Sequence, residues 1–119
     1  MENKKTIGNN AELIAKEFIK TKGYIIITSN FRSKFGEIDI IASDSNYLVF
    51  IEVKYRKSLK NGLPREAVNY KKQNRIIKTA QYYLMINNLY DKNCRFDVIE
   101  IFGDIENPKI NLIKNAFGT

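Results

Sequence analysis

Histidine and tryptophan are absent from this chain of 119 residues, cysteine occurs once and proline twice. Without His there is no imidazole to act as general acid or base, and the zinc sites that depend on imidazole are excluded. The lone Cys94 cannot close an internal disulfide, and the start, MENKKTIGNN, lacks the apolar stretch of a secretory signal. No apolar run approaches the ~20 residues a membrane helix needs. These absences predict a reducing, cytoplasmic setting and no membrane partner. Repeats and low-complexity segments are missing too, and 44% hydrophobic content is enough for one core, so a single domain over residues 1–119 is expected.

Positive charge is plentiful and unevenly placed. From Lys54 to Lys78 there are nine basic residues against one acid, Glu66, so this segment carries +8 while the whole chain carries +7. A concentration of that kind is either a solvated basic face or the electrostatic footprint of a phosphate backbone. It begins beside a cluster of carboxylates, which favours nucleic acid. Arg56, Lys57, Lys71, Lys72, Arg75 and Lys78 are the candidate contacts.

The cluster lies in GEIDIIASDSNYLVFIEVKYRK, residues 36–57. Glu37 to Ser43 and Tyr47 to Arg56 are rich in β-branched and aromatic residues, and Asp44, Ser45 and Asn46 supply turn chemistry, so two strands with a tight connection are expected. Side chains alternate faces along a strand. Glu52 and Lys54 therefore share one face, while Ile51, Val53 and Tyr55 share the other. Asp39 joins Glu52 if facing position numbers sum to 91, which requires an even-numbered loop such as Ser45-Asn46. Two carboxylates held close raise each other's pKa, and partial burial adds to that. A divalent cation relieves both effects, and an oxygen-rich site of one or two carboxylates suits Mg²⁺ or Mn²⁺. A surface ion pair of Glu52 and Lys54 on a solvated sheet is the alternative.

The run G-E-I-D-I-I-A-x-D followed by L-V-F-I-E-V-K-Y-R resembles the small bacterial YraN-type proteins of the PD-(D/E)XK nuclease superfamily, which are similar to archaeal Holliday junction resolvases. The resemblance extends from Gly8 to about Glu100, although Ile38 stands where the superfamily motif has proline. It implies a restriction-endonuclease-like fold, with Asp39, Glu52 and Lys54 in the metal-binding and catalytic positions. It also implies an acid of the first helix, here Glu12, as an additional metal ligand, and it marks Arg32, Glu37, Lys72 and Gln73 as neighbours of the site. Asp97 matches an R-F-D-V block and is expected to be structural. A junction resolvase needs two copies to cut two strands, so a homodimer is left open.

The remaining chain frames these residues. Ala11, Ile14, Ala15, Phe18 and Ile19 lie on one helical arc, predicting a helix from Asn9 to about Lys22 that stops at Gly23. Asn9 as N-cap would put Glu12 at the third helical position, a capping box, which competes with the ligand role. Tyr24 to Thr28 reads as a strand, with Asn30, Phe31 and Arg32 leading to the Gly36 turn, where Arg32 and Glu37 could equally be loop charges. Lys57 to Pro64 is a loop. A second helix is expected from Tyr70 to Asn87 with Asn69 as N-cap. Ile76, Ile77, Ala80, Tyr83 and Leu84 would be its buried face, and Lys71, Arg75, Lys78 and Tyr82 the opposite one. Gln73 falls within the apolar arc, so it either finds hydrogen-bond partners or lies on an exposed first turn. Arg95 to Phe102 is another strand, and Ile110 to Phe117 a candidate edge strand.

The expectation is an α/β domain of order α-β-β-β-α-β, a mixed central sheet flanked by helices, hydrolysing phosphodiesters in DNA with Mg²⁺ or Mn²⁺. Asp39 and Glu52 would hold the ion and Lys54 would orient the attacking water or stabilise developing charge. A nucleic-acid-binding module of the same fold with little or no cleavage, and a basic scaffold for an acidic protein, are the alternatives.

Overall fold

A computed structural model describes residues 4–57 and 68–118, with side chains from residue 10. Seven elements follow one another: α1 (Lys4–Thr21), β1 (Ile25–Ser33), β2 (Gly36–Asp44), β3 (Tyr47–Arg56), α2 (Tyr70–Ile86), β4 (Asn93–Phe102) and β5 (Lys109–Phe117). The chain is a mixed α/β fold with two helices and five strands, one strand more than the expected order α-β-β-β-α-β. The five strands form one mixed sheet in the order β1-β2-β3-β4-β5, parallel only between β3 and β4.

The two helices cover opposite faces. Ala11, Ala15 and Ile19 of α1 pack with Ile40, Ala42, Val49, Ile51, Ile99 and Ile101. Ile76, Ala80 and Tyr83 of α2 pack with Ile38, Ile41, Leu48, Phe50, Phe96 and Val98. Central strands covered on both sides need near-continuous apolar runs, which explains Ile40–Ala42 and Leu48–Ile51. Each fully buried Ile, Val or Phe contributes about 1.5–3 kcal/mol. On the α2 face an aromatic chain ties the layers together: Phe31 meets Tyr83 edge-on at 5.0 Å, Phe50 stacks on Phe96 at 5.5 Å, and Phe96 stacks on Phe117 at 5.1 Å.

Two boundaries differ from expectation. α1 begins at Lys4, so Asn9 is interior to the helix and no capping box forms around it. Asparagine favours the N-cap, but the stripe that docks α1 on the sheet lets the helix propagate upstream, through Gly8 at about 1 kcal/mol. Its other end agrees: the Gly23 N–H donates to Lys20 and the Tyr24 N–H to Ile19, with Gly23 at φ 89°, the left-handed conformation that ends a helix in this way. β1 runs on through Asn30, Phe31 and Arg32 to Ser33 because Phe31 is drawn under α2 and the turn is only Lys34-Phe35, closed by the pair Ser33↔Gly36. The loop residues Lys60, Gly62, Pro64, Arg65 and Glu66 lie outside the described residues.

α2 matches the expectation closely. Asn69 caps it, its side chain accepting the Lys72 N–H at 2.9 Å. Ile76, Ala80 and Tyr83 are buried, Ile77 and Leu84 partly so, and Lys71, Arg75, Lys78 and Tyr82 are exposed.

Candidate active site

The β2–β3 hairpin closes through the two-residue turn Ser45-Asn46, and its facing residues run from Asp44↔Tyr47 to Ile40↔Ile51, the register the strand parity called for. There the ladder stops, one position short of Asp39 and Glu52. Ile38 and Ile41 occupy the same core although they are an odd number apart, so β2 breaks its alternation between them. Asn30, opposite Asp39 in the β1 register, takes a left-handed φ of 56°. At the break the Asp39 side chain replaces a backbone acceptor: its Oδ2 accepts the Val53 N–H at 2.8 Å. The carboxyl group is thereby fixed against β3, next to Glu52.

Glu52 points to the α2 face and is 4% exposed. Its Oε1 lies 3.8 Å from the Lys54 ammonium and 3.5 Å from that of Lys72. Its Oε2 is buried and has no donor besides a proton on the neighbouring Asp39. Burial, first, and then the Glu52 charge push Asp39 up to about 7, with Glu37 adding to the rise and the Val53 N–H and Lys72 opposing it. Glu52 is raised as well, by burial, with Lys72, Lys54 and a hydrogen bond shared with Asp39 opposing. The pair is thus two under-solvated acids with cationic side chains on one oxygen only. Such a site favours either a retained proton or a cation.

The other expected site residues divide into those the fold gathers here and those it does not. Lys54 and Lys72 belong to the site, Lys72 reaching inward from the first turn of α2 and not lying on the outer stripe with Lys71, Arg75 and Lys78. Glu37 is near enough to act on Asp39, and it forms a 3.3 Å pair with Arg32 across the β1–β2 hairpin. Arg32 itself is largely exposed. Gln73 is half-buried, its Nε2 donating to the Val68 carbonyl at 3.0 Å, so the amide that looked out of place in an apolar arc staples the approach to α2. Glu12 is held elsewhere: its Oε1 accepts from Asn30 at 2.9 Å and pairs with Lys16 at 3.3 Å. Among the described residues no three Cys, Asp or Glu side chains converge to hold an ion, so Glu12 is not gathered with Asp39 and Glu52. Arg56 ends β3 half-buried and Lys57 is exposed just beyond it.

Glu100 was under-read from sequence. It is buried, shares the α2 face with Phe96 and Val98, and lies directly beside Lys54 in the parallel β3–β4 register. The signal was its parity with Phe96 and Val98, but a parallel neighbour twelve or more residues away has no register visible in sequence.

A mixed α/β fold carrying a buried acid pair and two lysines where its central hairpin opens defines this protein's class. Residues 11–101 match the Uncharacterised protein family UPF0102, and the chain belongs to that family. It is 53% identical over 116 residues to a UPF0102 protein of Clostridium botulinum strain 657, covering 95% of this chain and 94% of that one. It is 52% identical over 118 residues to a UPF0102 protein of Caldicellulosiruptor bescii, covering 97% and 99%. No helix among the described residues is long and apolar enough to cross a membrane.

Proposed function

We propose that this chain is a metal-dependent nuclease that hydrolyses phosphodiester bonds in DNA on a restriction-endonuclease-like fold. The observation that carries the reading is the buried acid pair, in which Glu52 Oε2 has no donor besides a proton on the neighbouring Asp39. A hard divalent cation fits that oxygen set: it supplies the missing partner and favours the ionised form of both acids. Asp39 and Glu52 would hold Mg²⁺ or Mn²⁺, and such an ion, when bound, acidifies water and stabilises charge on a phosphoryl group. Glu12, tied to Asn30 and Lys16, would assist only through water.

The chain's own residues do the rest. The Val53 N–H orients the Asp39 carboxylate at 2.8 Å. Lys54, from the strand that carries Glu52, presents an ammonium where phosphate charge would develop. Lys72 balances Glu52 in the absence of an ion. Lys57, Lys71, Arg75 and Lys78 are exposed cations, and Arg56 a half-buried one, placed to follow a phosphate backbone.

Lys54→Ala tests the assignment. Cation binding should survive, because both carboxylates remain, while cleavage should fall by about 10² or more, the usual worth of a preorganised charge at the transition state. Asp39→Asn should lose both. Cleavage that persists in the two variants alike belongs to another site. A nucleic-acid-binding module that does not cleave is the second reading, favoured by the absence of a third converging carboxylate among the described residues. Salt-sensitive DNA binding without Mg²⁺- or Mn²⁺-dependent turnover would establish it.

A further inference from the structure

The tip of the β1–β2 hairpin carries an aromatic side chain that the fold does not need. Phe35 is 37% exposed in the two-residue turn Lys34-Phe35. The backbone beneath it is held firmly. The Phe35 N–H donates to Ser33 Oγ at 3.0 Å, Ser33 Oγ lies 3.2 Å from Thr79 Oγ1, and Thr79 Oγ1 donates to the Arg75 carbonyl at 2.8 Å inside α2. Gly36 completes the tie, since a Cβ there would stand 3.4 Å from Arg75 Cβ. The ring is therefore mounted on α2 through a hydrogen-bonded strut while remaining open to solvent. The Lys34 ammonium sits over one face of the ring, 5.2 Å from its centroid, and Arg75 of the neighbouring helix is exposed.

A partly exposed ring on a braced turn, with an ammonium beside it, can recognise an unpaired base by stacking on its free face while a phosphate meets the cation. Paired bases are stacked within the duplex and offer no free face. Phe35 is four residues before Asp39, in the turn that leads into β2, at most about 13 Å away at ~3.3 Å per residue. That span corresponds to roughly four nucleotide steps at the B-form rise of ~3.4 Å, and fewer in a stretched strand. We infer that Phe35 is a stacking platform for an unpaired base a few nucleotides from the phosphate at the acid pair, so the substrate carries a single-stranded gap, flap or end.

The inference rests on the nucleic-acid reading of the site but not on cleavage, and binding without added metal tests it separately. The chain has no Trp, so Phe35→Trp introduces a single reporter. Its fluorescence should be quenched by a single-stranded oligonucleotide and by a duplex with a 3′ or 5′ flap, and little by a blunt duplex of equal length. Phe35→Ala should weaken single-strand binding by about 5- to 100-fold and leave duplex binding unchanged. Phe35→Leu should behave like Phe35→Ala, because an aliphatic side chain cannot stack. Tyr90→Ala should change nothing: Tyr90 is an exposed aromatic past the far end of α2, where Leu89 and Asp91 border the Ser45 to Tyr47 turn. Equal quenching by single strand and blunt duplex, or equal affinity losses for both, overturns the inference. If the stacking signature is present and cleavage is absent, the nuclease reading fails and this one stands. If cleavage is present without the signature, the reverse holds.

Discussion

Glu52 and Asp97 are buried carboxylates on adjacent strands at neighbouring register positions, Glu52 beside Val98 and Asp97 beside Ile51, and they face opposite sides of the sheet. On the α1 side Asp97 is saturated with donors. Oδ2 accepts from the Tyr24 hydroxyl at 2.7 Å and from Arg95 at 3.0 Å, and Oδ1 accepts from Arg95 Nε and the Asn115 N–H at 2.9 Å each. Arg95 also reaches Asp44 at 2.8 Å, holding that carboxyl below its ordinary range. The Tyr24 hydroxyl is driven up by burial and then by its bond to Asp97. On the α2 side Glu52 has ammonium groups only near Oε1, and Asp39 has one backbone N–H. The same residue chemistry is closed in one place and open in the other. A fully compensated buried charge is a structural element, whereas an under-compensated one is poised for a ligand.

The largest expected effect breaks this comparison at its closed side. Asp97→Ala should destabilise the protein by about 3 kcal/mol, because the Tyr24 hydroxyl and the Asn115 N–H lose their acceptor and Arg95 keeps only Asp44. Glu52→Gln should cost less than about 1 kcal/mol or be stabilising, since it removes a buried acid with an unsatisfied oxygen. Urea unfolding of both variants without added metal measures the contrast. Equal losses would make the acid pair structural too, and the proposed chemistry would lose its basis.

A smaller effect follows from protonation. Asp39 is raised from the ordinary carboxylate range to about 7, so the folded state holds a proton that the unfolded chain releases near pH 4. Its stabilising contribution is complete below about pH 4 and is lost as pH rises through about 7. Asp39→Asn should therefore be more stable than wild type at pH 8 by about 1–3 kcal/mol, with the gap closing towards pH 4. Added Mg²⁺ at pH 8 should raise the melting temperature of wild type and leave the variant unmoved. A gap that does not change with pH would show that Asp39 is ionised in the folded protein throughout.

How much of this contrast could be read from sequence depends on the range of the interaction. The Asp44↔Tyr47 to Ile40↔Ile51 register, the Asn69 cap and the buried face of α2 all follow from local periodicity and turn chemistry, and all are present. Parity also placed Glu52 and Lys54 on one face. It could not show that the ladder would open at Asp39, because that break involves the left-handed Asn30 on another strand. The start of α1 went unread because an asparagine favourable as a cap is outvoted by helix docking. Lys72 stood both among the candidate phosphate contacts and, through the family resemblance, beside the site, and its ammonium lies 3.5 Å from Glu52. Saturation of Asp97 draws on Tyr24 ahead of β1, Arg95 of β4 and Asn115 of β5 at once, which no local pattern encodes.

Lys72 and its neighbour Lys71 give the finest version of the comparison, one ammonium inside the site and one outside it. Lys72 is 40% exposed, so its attraction to Glu52 is screened by water and Lys72→Ala should change unfolding free energy by less than about 1 kcal/mol. What it should change is the cation: with a competing positive charge gone from Glu52 Oε1, the Mg²⁺ concentration needed for half of the maximal thermal shift should fall by up to about fivefold. Lys71 faces solvent while Lys54 and Lys72 are the ammonium groups at Glu52, so Lys71→Ala should leave that concentration where it is. If Lys71 meets a phosphate, its removal should instead lower the slope of log affinity against log salt for DNA by about one unit. Titrating both variants with Mg²⁺ and with DNA over a series of salt concentrations separates the two roles. An exchange of phenotypes, with Lys71→Ala tightening the ion and Lys72→Ala flattening the salt dependence, would mean that the first turn of α2 sits rotated in solution and that Lys72 belongs to the outer stripe.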